Sequence, residues 1–194
     1  MTTLSAQPRC GYAARTYLPD GSEVLLRPLE PEDGDLLLDI FAELGPLSRE
    51  RRFLTPKHTL TGSDLRQLTA VDHHDHEAIV ALSTVDCRPV GVARFVRSAA
   101  APDTADVAVV VVDAWQARGL GTVLASSLLG RARELGVGRF SLLMARDNEA
   151  AVKLMHRVLG EAERVSLDRD TAEFAVSVPP VARRRRAGRV RKGA

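Results

Sequence analysis

The chain has 194 residues, 45% of them hydrophobic, enough to bury one sizeable core but hardly two. No apolar run reaches the roughly eighteen residues of a membrane span, and the start "MTTLSAQPRC" lacks the unbroken apolar stretch of a secretory signal. Cys10 and Cys87 fit neither a disulfide framework nor a metal spacing, so a reduced, cytoplasmic protein is expected. The net charge of +2 is unevenly spread: "RRRRAGRVRKGA" carries seven cations and no acid, leaving the rest of the chain at −5. Residues 179–194 read as a basic, disordered tail, solvated or in weak contact with nucleic acid or another acidic partner; the tail has no aromatic residue on which bases could stack.

Residues 1–22 show no periodicity and read as a loose arm. "SEVLLRPL" predicts a first strand. Pro31, with Glu32, Asp33 and Asp35 behind it, starts a helix whose Leu36, Leu37, Ile40, Phe41 and Leu44 recur at helical spacing up to Gly45-Pro46. Ser48 and Ser63 are placed to cap two further short helices. "EAIVALSTVD", "PVGVARFVRS" and, after the loop "AAAPDT", "ADVAVVVVD" follow as three strands with short connections, an antiparallel meander. A helix striped by Leu120, Val123, Leu124, Leu128 and Leu135 comes next, closed by Gly136. "RFSLLMA" is another strand, "NEAAVKLMHRVLG" another helix, and "AERVSLD" and "TAEFAVSV" form a hairpin about Arg169-Asp170. Residues 23–178 make one α+β domain with a mixed, mostly antiparallel central sheet flanked by helices.

The chemistry concentrates at "VVVVDAWQARGLGT". A glycine turn backed by a helix N-terminus presents free backbone N–H groups to an anion, and Gly119 and Gly121 let a ligand approach the main chain. Gln116, Arg118 and Thr122 add polar groups, so a phosphate or pyrophosphate is the expected guest. A Walker loop would need Gly-Lys-Ser/Thr, and a dinucleotide fingerprint a third glycine where Leu124 stands and a parallel βαβ setting.

With both excluded, Gln116-Ala117-Arg118-Gly119-Leu120-Gly121 resembles the Q/R-x-x-G-x-G/A loop of the GCN5-related N-acetyltransferases, whose order of elements residues 23–178 follow. "SRERRFLTPKHTLTG" and "ADVAVVVVDAWQARGLGT" resemble, more narrowly, the acetyltransferase domain of actinobacterial protein lysine acetyltransferases. The resemblance implies acetyl-CoA as cosubstrate. Val109, Val110 and Val111 would offer main-chain groups to its pantetheine arm, and Gln116, Arg118, Gly119, Leu120, Gly121 and Thr122 would cradle its pyrophosphate. Asn148 stands where that family often contacts the cofactor, and is equally placed to cap the helix that follows.

Acyl transfer from a thioester to an amine needs a base and a donor to the carbonyl oxygen; a protein nucleophile is not required. Asp106 opens the valine strand and is the candidate base, on one face with Ala108, Val110 and Val112. The resembling enzymes carry a glutamate at the matching point, so a water relay or another base (Glu77 or Asp72) stays open. Their frequent tyrosine on the last helix is replaced by Met155, and His156 beside it points elsewhere. Histidines 73, 74 and 76 in "DHHDHE" are too crowded for a tetrahedral site, and no metal is expected. Trp115 is expected to pack as an apolar anchor. The expected activity is acetyl transfer to a primary amine, of a protein lysine or a small molecule, by a monomer or a homodimer. The alternatives are a CoA-binding sensor that has lost its chemistry and a nucleic-acid-associated protein working through its tail.

Overall fold

In the computed structural model, which describes residues 14–179, the strand runs of the sequence assemble into one eight-stranded sheet. In chain order the elements are β1 (Ala14–Tyr17), β2 (Glu23–Pro28), α1 (Gly34–Ala42), α2 (Pro46–Phe53), α3 (Gly62–Thr69), β3 (His76–Ser83), β4 (Pro89–Ser98) and β5 (Ala101–Val111). A 3-10 turn (Asp113–Trp115), α4 (Leu120–Glu134), β6 (Arg139–Ala145), α5 (Glu149–Leu159), β7 (Glu163–Leu167) and β8 (Thr171–Ser177) complete the chain. The sheet order is β1-β2-β3-β4-β5-β6-β8-β7, and every pairing is antiparallel except β5 with β6, which are joined through α4. This is the mixed, mostly antiparallel sheet that the alternating runs predicted.

Several boundaries differ from expectation. The arm is not structureless throughout: Ala14–Tyr17 pairs with Glu23–Leu26 about the turn at Gly21, an ordering supplied by the neighbouring strand and invisible to periodicity. Strand β5 starts at Ala101, so "AAAPDT" is largely strand and the β4–β5 connection is a tight turn. Ser48 and Ser63 do not cap. Helix α2 begins with Pro46 after Gly45, and α3 is capped by Thr61, whose hydroxyl and main-chain N–H exchange hydrogen bonds with the main chain and carboxylate of Asp64. The first thirteen residues and the expected tail from residue 180 lie outside the described residues.

The core forms on both faces of the meander. Leu120, Leu124 and Leu128, four apart on α4, bury completely against β3, β4 and β5, while Leu37, Ile40 and Phe41 of α1 close the opposite face. Phe95 and Phe140 meet inside the sheet at 6.3 Å between ring centroids. Met144, Met155 and Val176 form a second cluster under α5. No described helix is long and apolar enough to cross a membrane.

Candidate active site

The central feature is a wedge between two strands. β5 pairs with β6 only from Thr104 to Asp106, against Arg139 to Ser141; beyond that the strands part, while β5 stays paired with β4 as far as Val111. The Val112 N–H donates to the Val90 carbonyl of β4, so alternation turns the main-chain groups of Val110 and Ala108 toward β4 and those of Val107, Val109 and Val111 toward the wedge. Among the described residues no strand covers that edge. Val109 and Val111 therefore turn their main-chain groups toward the wedge. Val110 does not: its backbone belongs to β4, and its side chain lies on the opposite face from α4.

The open end of the wedge is the glycine turn. Ala117 and Gly119 both take positive φ (58° and 91°), and the alternation of hand curls the main chain into a concave nest. Among the described residues, the N–H groups of Ala117, Arg118, Gly119, Leu120 and Gly121 find no acceptor, whereas that of Thr122 is spent on the Gly119 carbonyl. Five consecutive free donors at the N-terminus of a fifteen-residue helix make a strong anion site. A side chain at Gly119 would meet the Pro19 ring at 2.7 Å, and one at Gly121 would approach Leu154 of α5 at 3.4 Å and Val111 of β5 at 3.9 Å. A Cβ is thus excluded at Gly119, whereas at Gly121 a Cβ only reaches ordinary contact and bulk beyond it is what meets Leu154 and Val111.

The side chains around the nest are partly committed. Arg118 donates to Asp20 and Ser22 in the β1–β2 turn and lies 4.2 Å from the Trp115 ring. The main-chain N–H of Ser22, with Arg118 next in strength, holds the Asp20 carboxyl down at about 2. Trp115 packs on the core beneath, as expected. Gln116 turns inward, donating to the Val111 carbonyl (3.1 Å), Asp113 (3.0 Å) and Ser48 (3.2 Å), so it braces the loop with its side chain. Asp113 also accepts from Gly45 N–H and Ser48, and Arg51 reaches the Asp147 carboxylate at 3.2 Å. Helix α2 thereby ties the end of β5 to the loop after β6. Asn148 adopts its capping role, accepting from Ala151 N–H.

The face of β5 away from α4 carries Asp106, Ala108 and Val110 and meets a narrow cleft under α1, α2 and α3. Asp106 is exposed, opposite Val96 and two residues before Ala108, which lines the cleft. The other two carboxylates suggested as bases do not reach this face. Glu77 is 1% exposed on the α4 side of β3, bound to Arg131 at 3.1 Å and His73 at 3.0 Å. Asp72 accepts the main-chain N–H groups of His74, Asp75 and His76, that of His76 most strongly, which lowers its carboxyl below the ordinary range. Both are structural. Met155 is buried under α5, and His156 closes that helix against the Gly160 carbonyl (3.2 Å), so neither faces the wedge.

Two residues in the cleft escaped the motif reading: Arg52 of α2 and Arg94 of β4. Arg94 is 6% exposed. Its burial, with Arg52 as a neighbouring cation, lowers its guanidinium to about 9. The signal was in "VARFV", where alternation places an arginine between two valines, Val92 and Val96, on one face of the strand.

Together the splayed strand pair, the nest of free N–H groups and the apolar cleft behind β5 form an open strand edge that leads into an anion-binding turn. Residues 41–160 match the acetyltransferase (GNAT) family model, and the chain belongs to that family. It is 35% identical over 161 residues to acetyltransferase Pat of Mycolicibacterium smegmatis (83% of this chain, 47% of that protein), and so spans about half of that relative. An acetyltransferase of Pseudomonas aeruginosa is 34% identical over 135 residues, covering 69% of this chain and 72% of its own length. Among solved structures, the GNAT domain of S. lividans PAT superposes with a TM-score of 0.78 at 25% identity, over 85% of this chain and 96% of that one.

Proposed function

We propose that this protein is an acetyl-CoA-dependent N-acetyltransferase that passes the acetyl group directly to a primary amine in a ternary complex. The observation that carries the reading is the wedge, whose β5 edge no described strand covers and which runs into five N–H groups without a partner among the described residues. A strand-like pantetheine arm would complete the β5 edge, and the pyrophosphate would sit in the nest. A GNAT-fold neighbour from Salmonella typhimurium was solved with acetyl-CoA, at a TM-score of 0.64 over 80% of this chain and 20% identity.

Within that reading, the Val109 N–H donates to the thioester oxygen as charge develops on it. Asp106 takes the proton of the incoming ammonium, directly or through a water, on the cleft side of β5. The amine nitrogen then bonds to the acyl carbon as the carbon–sulfur bond breaks, and the departing thiolate takes its proton from solvent. Calorimetry with acetyl-CoA, followed by thiol release in the presence of a panel of amines, tests this. Binding with release supports an enzyme, binding without release with any amine a sensor, and no binding removes the reading.

A further inference from the structure

The cleft on the acceptor side of β5 is lined mainly by apolar groups, among them Phe41, Phe53, Ala108 and Val110, yet it holds two guanidinium groups. Neither Arg52 nor Arg94 forms an ion pair among the described residues. Arg94 spends Nη1 on the Leu68 carbonyl at 2.9 Å and lies 3.5 Å from His76 Nε2; its Nε and Nη2 have no partner among the described residues. Arg52 makes no hydrogen bond there and rests 5.0 Å from the Phe53 ring. His76 cannot supply a counter-charge in either protonation state, and burial, reinforced by Arg94, lowers its imidazole below the ordinary value. The undescribed stretches, residues 1–13 and 180–194, contain no aspartate or glutamate. A buried and a half-buried cation thus share one side of the sheet with no carboxylate paired to either among the described residues, an arrangement that an anion joining them would stabilise. The planar fork of a guanidinium matches a carboxylate.

We propose that Arg52 and Arg94 form a carboxylate subsite, holding an acid group carried by one of the two reactants; this rests on the assignment of β5 as the acyl-transfer strand. Arg94 stands opposite Ala108, and Asp106 lies two residues earlier on the same face, about 7 Å along the strand. An amine that Asp106 deprotonates and a carboxylate that the arginines hold fit on one small molecule, such as an amino acid. The same subsite would receive the far end of a dicarboxylic acyl group. A protein lysine side chain brings no such acid.

The test uses the full chain and thiol release, with a panel of amino acids each set beside its decarboxylated amine, and with acetyl-CoA set beside succinyl-CoA. If the acceptor carries the acid, amino acids exceed their decarboxylated partners in kcat/KM by about 10- to 100-fold with acetyl-CoA. If the acyl chain carries it, succinyl-CoA exceeds acetyl-CoA by a similar factor with every amine. In either case Arg52→Gln removes the preference. Should that variant fold poorly, Arg94→Lys, which keeps the charge but not the fork, reduces it. Glutarate, a probe that needs no turnover, should raise the wild-type melting temperature but not that of Arg52→Gln. Equal rates within both pairs together with no glutarate effect overturn the subsite. Failure of acetyl-CoA to bind in calorimetry overturns the transfer reading instead, and glutarate alone then decides the anion site.

Discussion

Asp106 and Glu77 show how one residue type takes opposite roles according to the strand face it occupies. Glu77 is sealed on the α4 side and satisfied by Arg131 and His73, whereas Asp106 is exposed on the opposite face, two residues before the cleft-lining Ala108. Only the second has room for an ammonium and its water. Asp106→Asn keeps the size and most hydrogen bonding of the side chain while removing its basicity, so turnover near neutral pH should fall about 100-fold or more with acetyl-CoA affinity unchanged. Activity should partly return at higher pH, where the amine loses its proton unaided. A variant as active as wild type across that range would mean that the amine reaches the site already neutral. Glu77→Gln should act on stability instead: it breaks a buried charge pair while keeping the shape, and a loss of about 1–3 kcal/mol in urea denaturation is expected, with kinetic constants little changed.

The element on which the proposed acetyl-CoA binding rests is the turn from β5 into α4. Gly119 holds φ +91 and packs under Pro19, so Gly119→Ala meets both backbone strain and a collision with a ring. A stability loss of about 1–2 kcal/mol is expected from the backbone alone, visible as a lowered melting temperature, with weaker acetyl-CoA binding because the nest deforms. Gly121→Val pushes branched carbons between Val111 and Leu154, where β5 and α5 face one another. It should weaken acetyl-CoA binding with less effect on stability, and unchanged affinity by calorimetry would remove the nest from the site. Much of this element was legible in the sequence, because glycines after a run of valines and before a leucine-striped helix dictate a strand, a tight turn and an exposed helix end. The wedge was not. Where β6 leaves β5 depends on how two strands twist apart, and residues 142–145 read as an ordinary strand whether paired or parted. Nor was the face of Glu77, since both faces of β3 are buried and its alternation is lost. Arg94 was visible as a charge in an apolar strand, but its meaning needed Arg52, which comes from a helix 42 positions earlier.

Across the whole molecule the sheet separates two chemistries: on one side the packed leucines of α4, on the other a cleft holding the buried Arg94 and the half-buried Arg52. That second side has a thermodynamic signature. His76 is buried next to Arg94, with Asp72 and Glu77 as its nearest acids, and burial first, then Arg94, pulls its imidazole below 6.5. The folded state therefore favours the neutral ring. Above 6.5 the ring is neutral in both states and stability is full. As pH falls through 6.5 the unfolded chain binds the proton first, and stability declines until the lowered folded value is reached, where the decline ends. The slope from one such group is at most about 1.4 kcal/mol per pH unit. Melting temperature followed downward from pH 7.5 should thus drop more steeply in wild type than in His76→Gln, which keeps a polar end but does not titrate. Glutarate, by pairing the arginines, removes part of the repulsion on a protonated ring, and should flatten the wild-type slope without altering that of the variant. Identical slopes in wild type and variant would assign the acid loss to another group and remove His76 from the account of the cleft.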